Sequence, residues 1–150
     1  MEIEQEIKQQ HFQSTYQKAS LNVLFTASWM QGRTNQALKP YDISMQQFNV
    51  LRILRGQYPN PVTLNLVQER MLDKMSNASR LVEKLKQKGY VERQQCEHNR
   101  RQVDIKLTAE GLKLLNELNP IIDGLSEDYG NYLTKDEAKQ LSHLLDKLRG

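Results

Sequence analysis

One cysteine, Cys96, is all that the 150-residue chain contains. It cannot close an internal disulfide, and it cannot supply a zinc site of the CxxC type. The three histidines are scattered, with His11 and His143 standing alone, so no metal is expected and no cofactor is implied. Cys96 and His98 would share a face of a strand, yet no third group orients them as a nucleophile and its base. Long apolar runs are missing as well. The longest charge-free stretch, residues 19–32, is shorter than a membrane span and carries Ser20, Asn22, Thr26, Ser28 and Gln31, which hydrocarbon would not accept. The first ten residues, MEIEQEIKQQ, lack the apolar segment of a secretory signal. The expectation is one cytoplasmic domain with no membrane partner and no catalytic residues, since no nucleophile, phosphate loop or metal cluster is present.

What the chain does have is an uneven charge. Its net charge of +3 hides a block, residues 74–101, in which eight Lys/Arg face three acids. That block is +5 and the remainder −2. A basic block inside a near-neutral protein points to one surface aimed at a polyanion, against the simpler alternative of a solvated face.

Apolar spacing predicts helices over most of the length. From about Glu4 to Leu38, Phe12, Tyr16, Ala19, Val23, Ala27, Met30, Thr34 and Leu38 recur at steps of three and four, and Leu21, Leu24, Phe25 and Trp29 mark a second face. Lys39-Pro40 ends this long helix. Ser44-Met45-Gln46-Gln47 reads as a capping box opening a short buried helix with Phe48, Leu51 and Leu54. Thr63 caps a third helix reaching about Met71. Asp73 is expected to cap a fourth, running to Lys88 and stopped by Gly89. On that helix Ala78, Leu81, Val82 and Leu85 share one side, and Ser76, Ser79, Arg80 and Glu83 lie opposite.

Tyr90–Gln94 and Gln102–Leu107 then read as two strands, the second turning Val103, Ile105 and Leu107 inward. Between them Glu97-His98-Asn99-Arg100-Arg101 makes a polar, basic tip. Thr108 caps a fifth helix, with a kink expected near Pro120. Thr134-Lys135-Asp136-Glu137 is a second capping box, followed by the seam Ala138, Leu141, Leu145 and Leu148 of a sixth helix.

Three short helices followed by a hairpin with a basic tip is the layout of a winged helix-turn-helix, in which one helix enters the major groove and the hairpin reaches the minor groove. The fold class expected is mainly α with a small β-hairpin. Residues 41–107 form the winged, DNA-binding region, and residues 1–40 and 108–150 form a helical dimerisation region whose apolar surface a symmetry mate would cover.

Three segments, ISMQQFNVLRIL, SRLVEKLKQKGYVER and NRRQVDIKLTAEG, resemble the second helix, the recognition helix and the wing of the MarR (multiple antibiotic resistance regulator) family. The resemblance covers roughly residues 20–148. It implies a homodimeric transcription factor, usually a repressor, that binds a pseudo-palindromic operator and in many members is released by a small anionic or phenolic ligand. Family wings commonly carry Asp-x-Arg; here the tip reads Asn99-Arg100-Arg101, which keeps a hydrogen-bonding side chain but loses an ion pair to the wing arginine.

The candidate DNA contacts are therefore Lys74, Ser76, Asn77, Ser79, Arg80 and Lys84 on the recognition helix and Asn99, Arg100 and Arg101 on the wing. Short polar side chains let the backbone approach, and a guanidinium can fork onto guanine or clamp a phosphate. Lys74 and Lys84, with Lys86 and Lys88, would add affinity without reading sequence. Phe25, Trp29, Met30, Arg33, Phe48 and Arg52 could line a cavity for a small aromatic or anionic effector, with plain core packing as the alternative. A winged-helix module used only for protein contacts is the alternative reading of the whole chain, but it would not need a basic helix face joined to a basic wing.

Overall fold

The computed structural model describes every residue except Glu97 and Arg100. The chain divides into two compact units, residues 1–45 and 46–150.

In the first unit, the uninterrupted helix expected from about Glu4 is instead two: α1 (Ile3–Glu6) and α2 (Thr15–Leu38). The reason is local. Lys8 takes a left-handed conformation with φ 53°, and the Ser14 hydroxyl then accepts from the Gln17 N–H at 3.1 Å while the Gln17 side-chain oxygen accepts from the Gln13 N–H at 2.7 Å. The Ser14 cap starts a new helix. Lys18 on α2 pairs with the Glu4 carboxylate, and its hydrogen bond holds that carboxyl below its ordinary range. α2 ends at Leu38 in a 3-10 turn, Lys39–Tyr41, around Pro40. Only Leu38 of α2 is buried, and Tyr16, Leu24 and Trp29 are exposed.

The second unit starts from α3 (Met45–Gln57), whose Phe48, Val50, Leu51 and Leu54 are buried as their spacing requires. Strand β1 (Val62–Thr63) leads into α4 (Leu64–Arg70), capped by the Thr63 hydroxyl as expected. α5 (Ala78–Gln87) buries Ala78, Val82 and Leu85. It ends in a Schellman turn: Gly89 sits at φ 83°, its N–H donates to Lys86 O, and the Tyr90 N–H donates to Leu85 O.

β2 (Val91–Gln95) and β3 (Val103–Leu107) pair antiparallel with Arg93 opposite Ile105, which buries Ile105 and Leu107. The sheet holds one strand more than the expected hairpin. β1 pairs with the other edge of β3, Val62 opposite Ile105, giving the order β1-β3-β2 among the described residues.

α6 (Ala109–Glu127) runs through Pro120 and is capped by Thr108. That hydroxyl accepts from the Gly111 N–H at 3.1 Å and donates to Gly89 O at 2.7 Å, so one residue ties the start of α6 to the end of α5. Leu114, Leu115 and Leu118 join the core. α7 (Lys135–Arg149) opens with the full Thr134–Glu137 capping box, whose hydrogen bonds hold the Glu137 carboxyl below its ordinary range. α7 has no buried residue, and Leu141, Leu144 and Leu148 are exposed.

Candidate nucleic-acid interface

The start of α5 differs from the sequence expectation in a way that shapes the site. Its cap is Asn77, whose side-chain oxygen accepts from the Arg80 N–H at 3.1 Å, and not Asp73. Asp73 instead closes a tight turn: its carboxylate accepts from the Met75 N–H at 3.0 Å and its carbonyl from the Ser76 N–H at 3.1 Å. Asp73 is thereby used up locally, and the next residue able to cap opens the helix.

Gln68 on α4 fixes this turn from the other side. Its amide nitrogen donates to Ser76 O at 2.9 Å and its amide oxygen accepts from the Ala78 N–H at 3.1 Å. The Asn49 side chain on α3 accepts from the Leu72 N–H at 2.9 Å. No sequence pattern marks either residue, because each reaches backbone groups that only the folded chain brings near. Gln68→Leu leaves a part-buried N–H and C=O without their partner. It is expected to cost about 1–3 kcal/mol, read as a lowered urea midpoint, and a midpoint equal to wild type would show that the clamp adds no stability.

Of the predicted recognition face, Ser79, Arg80 and Lys84 are exposed on α5. Asn77 is exposed and spends its side-chain oxygen on the cap. Ser76 lies before the helix with its hydroxyl buried, and that oxygen has no partner among the described residues. The exposed Lys74 donates to the Glu69 carbonyl. Arg80 and Lys84 share an open depression with Asn77, Ser79, Glu83, Gln87 and Arg93. Across it Arg93 of β2 stands 3.5 Å from the Glu83 carboxylate, a half-exposed ion pair that bridges α5 and β2.

At the wing tip Asn99 builds the turn. Asn99 O accepts from the Gln102 N–H at 3.0 Å, and Asn99 Oδ1 accepts from the Arg101 N–H at 3.1 Å. The Cys96 N–H closes the ladder on Gln102 O at 3.0 Å. Arg101 is exposed and lines a groove with Thr63, Asn65, Asn99 and Gln102. Arg100 lies outside the described residues.

The residues assigned to an effector fall in both units. In the first, Phe25 is half-buried, Trp29 and Met30 are exposed, and the Arg33 guanidinium lies 5.2 Å from the Trp29 ring centroid. In the second, Phe48 is buried and Arg52 stacks 5.5 Å from its centroid while standing 3.3 Å from the Asp123 carboxylate. Each arginine is thus held over an aromatic face, an arrangement that also serves packing alone.

Comparison with known proteins agrees with this geometry. The sequence model of the MarR family matches residues 43–103, from the start of α3 to the start of β3. The HTH-type transcriptional regulator MgrA of Staphylococcus aureus is 31% identical over 115 residues, 77% of this chain and 76% of the relative. A MarR transcription factor from Planctomyces limnophilus superposes with a TM-score of 0.68 at 30% identity, covering 91% of this chain and 98% of that one. A cysteine-to-serine variant of Escherichia coli MarR, solved with operator DNA, gives a TM-score of 0.73 at 25% identity over 84% of this chain and 89% of its own. With three sequence motifs in order, a hairpin wing within a three-stranded sheet and relatives matched over three quarters of its length, the chain belongs to the MarR family of transcriptional regulators and is not an enzyme.

Proposed function

We propose that the protein is a cytoplasmic homodimer that binds double-stranded DNA sequence-specifically, with α5 in the major groove and the β2–β3 wing over the adjacent minor groove. The observation that carries this is the two-sidedness of α5. Ala78, Val82 and Leu85 lock it to the core while Ser79, Arg80 and Lys84 stand in solvent, next to a wing whose Arg101 is also exposed. A guanidinium held near a capped helix start suits guanine O6/N7 or a phosphate, and a wing arginine suits a narrow minor groove. The E. coli relative solved on operator DNA supports the same reading. Two-fold symmetry makes the operator a pseudo-palindrome with half-sites about one helical turn apart.

The helices outside the winged region, residues 1–40 and 108–150, supply the dimer contact in this proposal, because α2 and α7 leave leucines and aromatics in water. Action as a repressor released by a small aromatic or anionic effector is the finer part of the proposal. It rests on the two arginine–aromatic pairs, Arg33 with Trp29 and Arg52 with Phe48.

The test begins with selection of duplexes from a random-sequence pool by the full chain. Binding to the selected duplex is then measured by fluorescence anisotropy across a salt series. Log affinity should fall linearly with log salt, since several phosphates are neutralised per subunit. Arg80→Ala should weaken the selected duplex by roughly 1–3 kcal/mol while leaving the thermal melt unchanged. No enriched sequence, or a flat salt response, overturns the proposal in favour of a winged-helix module for protein contacts.

A further inference from the structure

The turn before α5 combines rigidity with exposed apolar side chains. Between Leu72 and Ala78 the backbone is held by Asn49 at Leu72, by Asp73 at Met75 and Ser76, and by Gln68 at Ser76 and Ala78. Yet Leu72 is 83% and Met75 92% exposed, two large apolar side chains within four residues. A single exposed leucine needs no explanation, but two on a braced turn form a presented surface. The turn is continuous with the basic face: Lys74 lies between the two residues, and Asn77, Ser79 and Arg80 follow directly. An acidic or purely apolar partner surface would leave either the charges or the apolar pair without a match. The DNA major groove offers both, phosphates along its edge and the thymine 5-methyl group as its one apolar feature.

We propose that Met75, with Leu72 on the same turn, reads thymine methyl groups in the major groove beside the bases reached by Arg80, and so sets sequence preference at those positions. This rests on the DNA-binding reading above and adds a specificity-determining contact to it. The braced turn matters because a flexible thioether gains most from a fixed anchor: little order has to be imposed on binding.

The experiment uses the duplex selected by the wild-type chain. Each thymine in it is replaced in turn by uracil, which pairs identically and lacks only the methyl group. Affinities of wild type, Met75→Ala and Leu72→Ala are measured by anisotropy, with circular dichroism melts as the folding control; both side chains are exposed, so the melts should match wild type. At one or two thymines per half-site, uracil is expected to weaken wild type about fourfold, the worth of one buried methyl. The same uracil should leave Met75→Ala unchanged, since the contact is already absent. Uracil effects that are equal in wild type and Met75→Ala, or absent everywhere, overturn the assignment while leaving sequence-specific binding intact. A Met75→Ala variant that binds the selected duplex like wild type does the same and points to a protein partner for the turn. Failure to enrich any duplex overturns this inference together with the reading beneath it.

Discussion

Replacing Gly111 with alanine is expected to unfold the protein or to destabilise it by about 3 kcal/mol or more. A Cβ at this position would lie 2.1 Å from the Tyr90 carbonyl oxygen and 3.2 Å from a Leu107 methyl. The methyl can yield; the carbonyl cannot, because it accepts the Thr108 N–H at 3.1 Å and belongs to the turn that joins α5 to the wing. Relieving the contact means moving α6 away from that turn, which also stretches the Thr108 hydroxyl bonds to Gly89 and Gly111. Alanine's better helix propensity returns only about 1 kcal/mol, and a domain of this kind has on the order of 5–15 kcal/mol in total. Gly56→Ala is the matched control. It lies near the end of α3 with nothing within 4 Å of its added Cβ, and should be neutral or slightly stabilising. Urea melts of the two variants decide the matter; equal midpoints would show that α6 can shift without cost and that the close approach is incidental.

The second large effect is expected at α7. Leu141, Leu144 and Leu148 are 47%, 52% and 62% exposed, and Leu145 is half-buried. Burying a leucine side chain contributes roughly 1.5–3 kcal/mol, and a two-fold contact counts each residue twice. In the proposed dimer, Leu141→Asp would remove that contribution from both subunits and bring two carboxylates into the contact. The dimer dissociation constant should therefore rise by a factor of about 100 or more, the equivalent of about 3 kcal/mol. Affinity for the full duplex should collapse with it, because the second half-site is no longer tethered to the first. Binding to a single half-site should change little, since α5 and the wing are untouched. Sedimentation of both proteins at micromolar concentration measures the change. A monomeric wild type, or a Leu141→Asp variant still dimeric with full operator affinity, would place the subunit contact elsewhere.

Much of the architecture is legible as pattern. Thr63, Thr108 and Thr134 cap their helices as expected, Gly89 stops α5 in the left-handed conformation, and the alternation in residues 103–107 buries Ile105 and Leu107. All of these depend on groups within about four residues of one another, the range over which a cap or a periodic face acts. The order of the elements then carries the winged-helix reading and the family resemblance.

Several departures from pattern have a different cause. Asp73 and Asn77 are both good caps; Asp73 spends its oxygens on its own turn, and Gln68, whose two amide atoms meet the chain at Ser76 and Ala78, braces that turn where Asn77 opens α5. β1 spans two residues, too short for any periodicity, and exists because β3 offers it an edge. Gly111 looks like any helical glycine until Tyr90 is brought against it. Asn99, which reads as a lost ion pair, is a local exception: its two oxygens accept from the Gln102 and Arg101 N–H groups of its own turn. The sequence by itself determined most of the helices, the β2–β3 hairpin and where the positive charge collects, because propensity, capping and charge are local. Only the tertiary structure decided that β1 joins the sheet, that Gln68 and Asn49 meet the backbone of the turn before α5, and which side chains are left facing solvent, because those depend on partners distant in sequence.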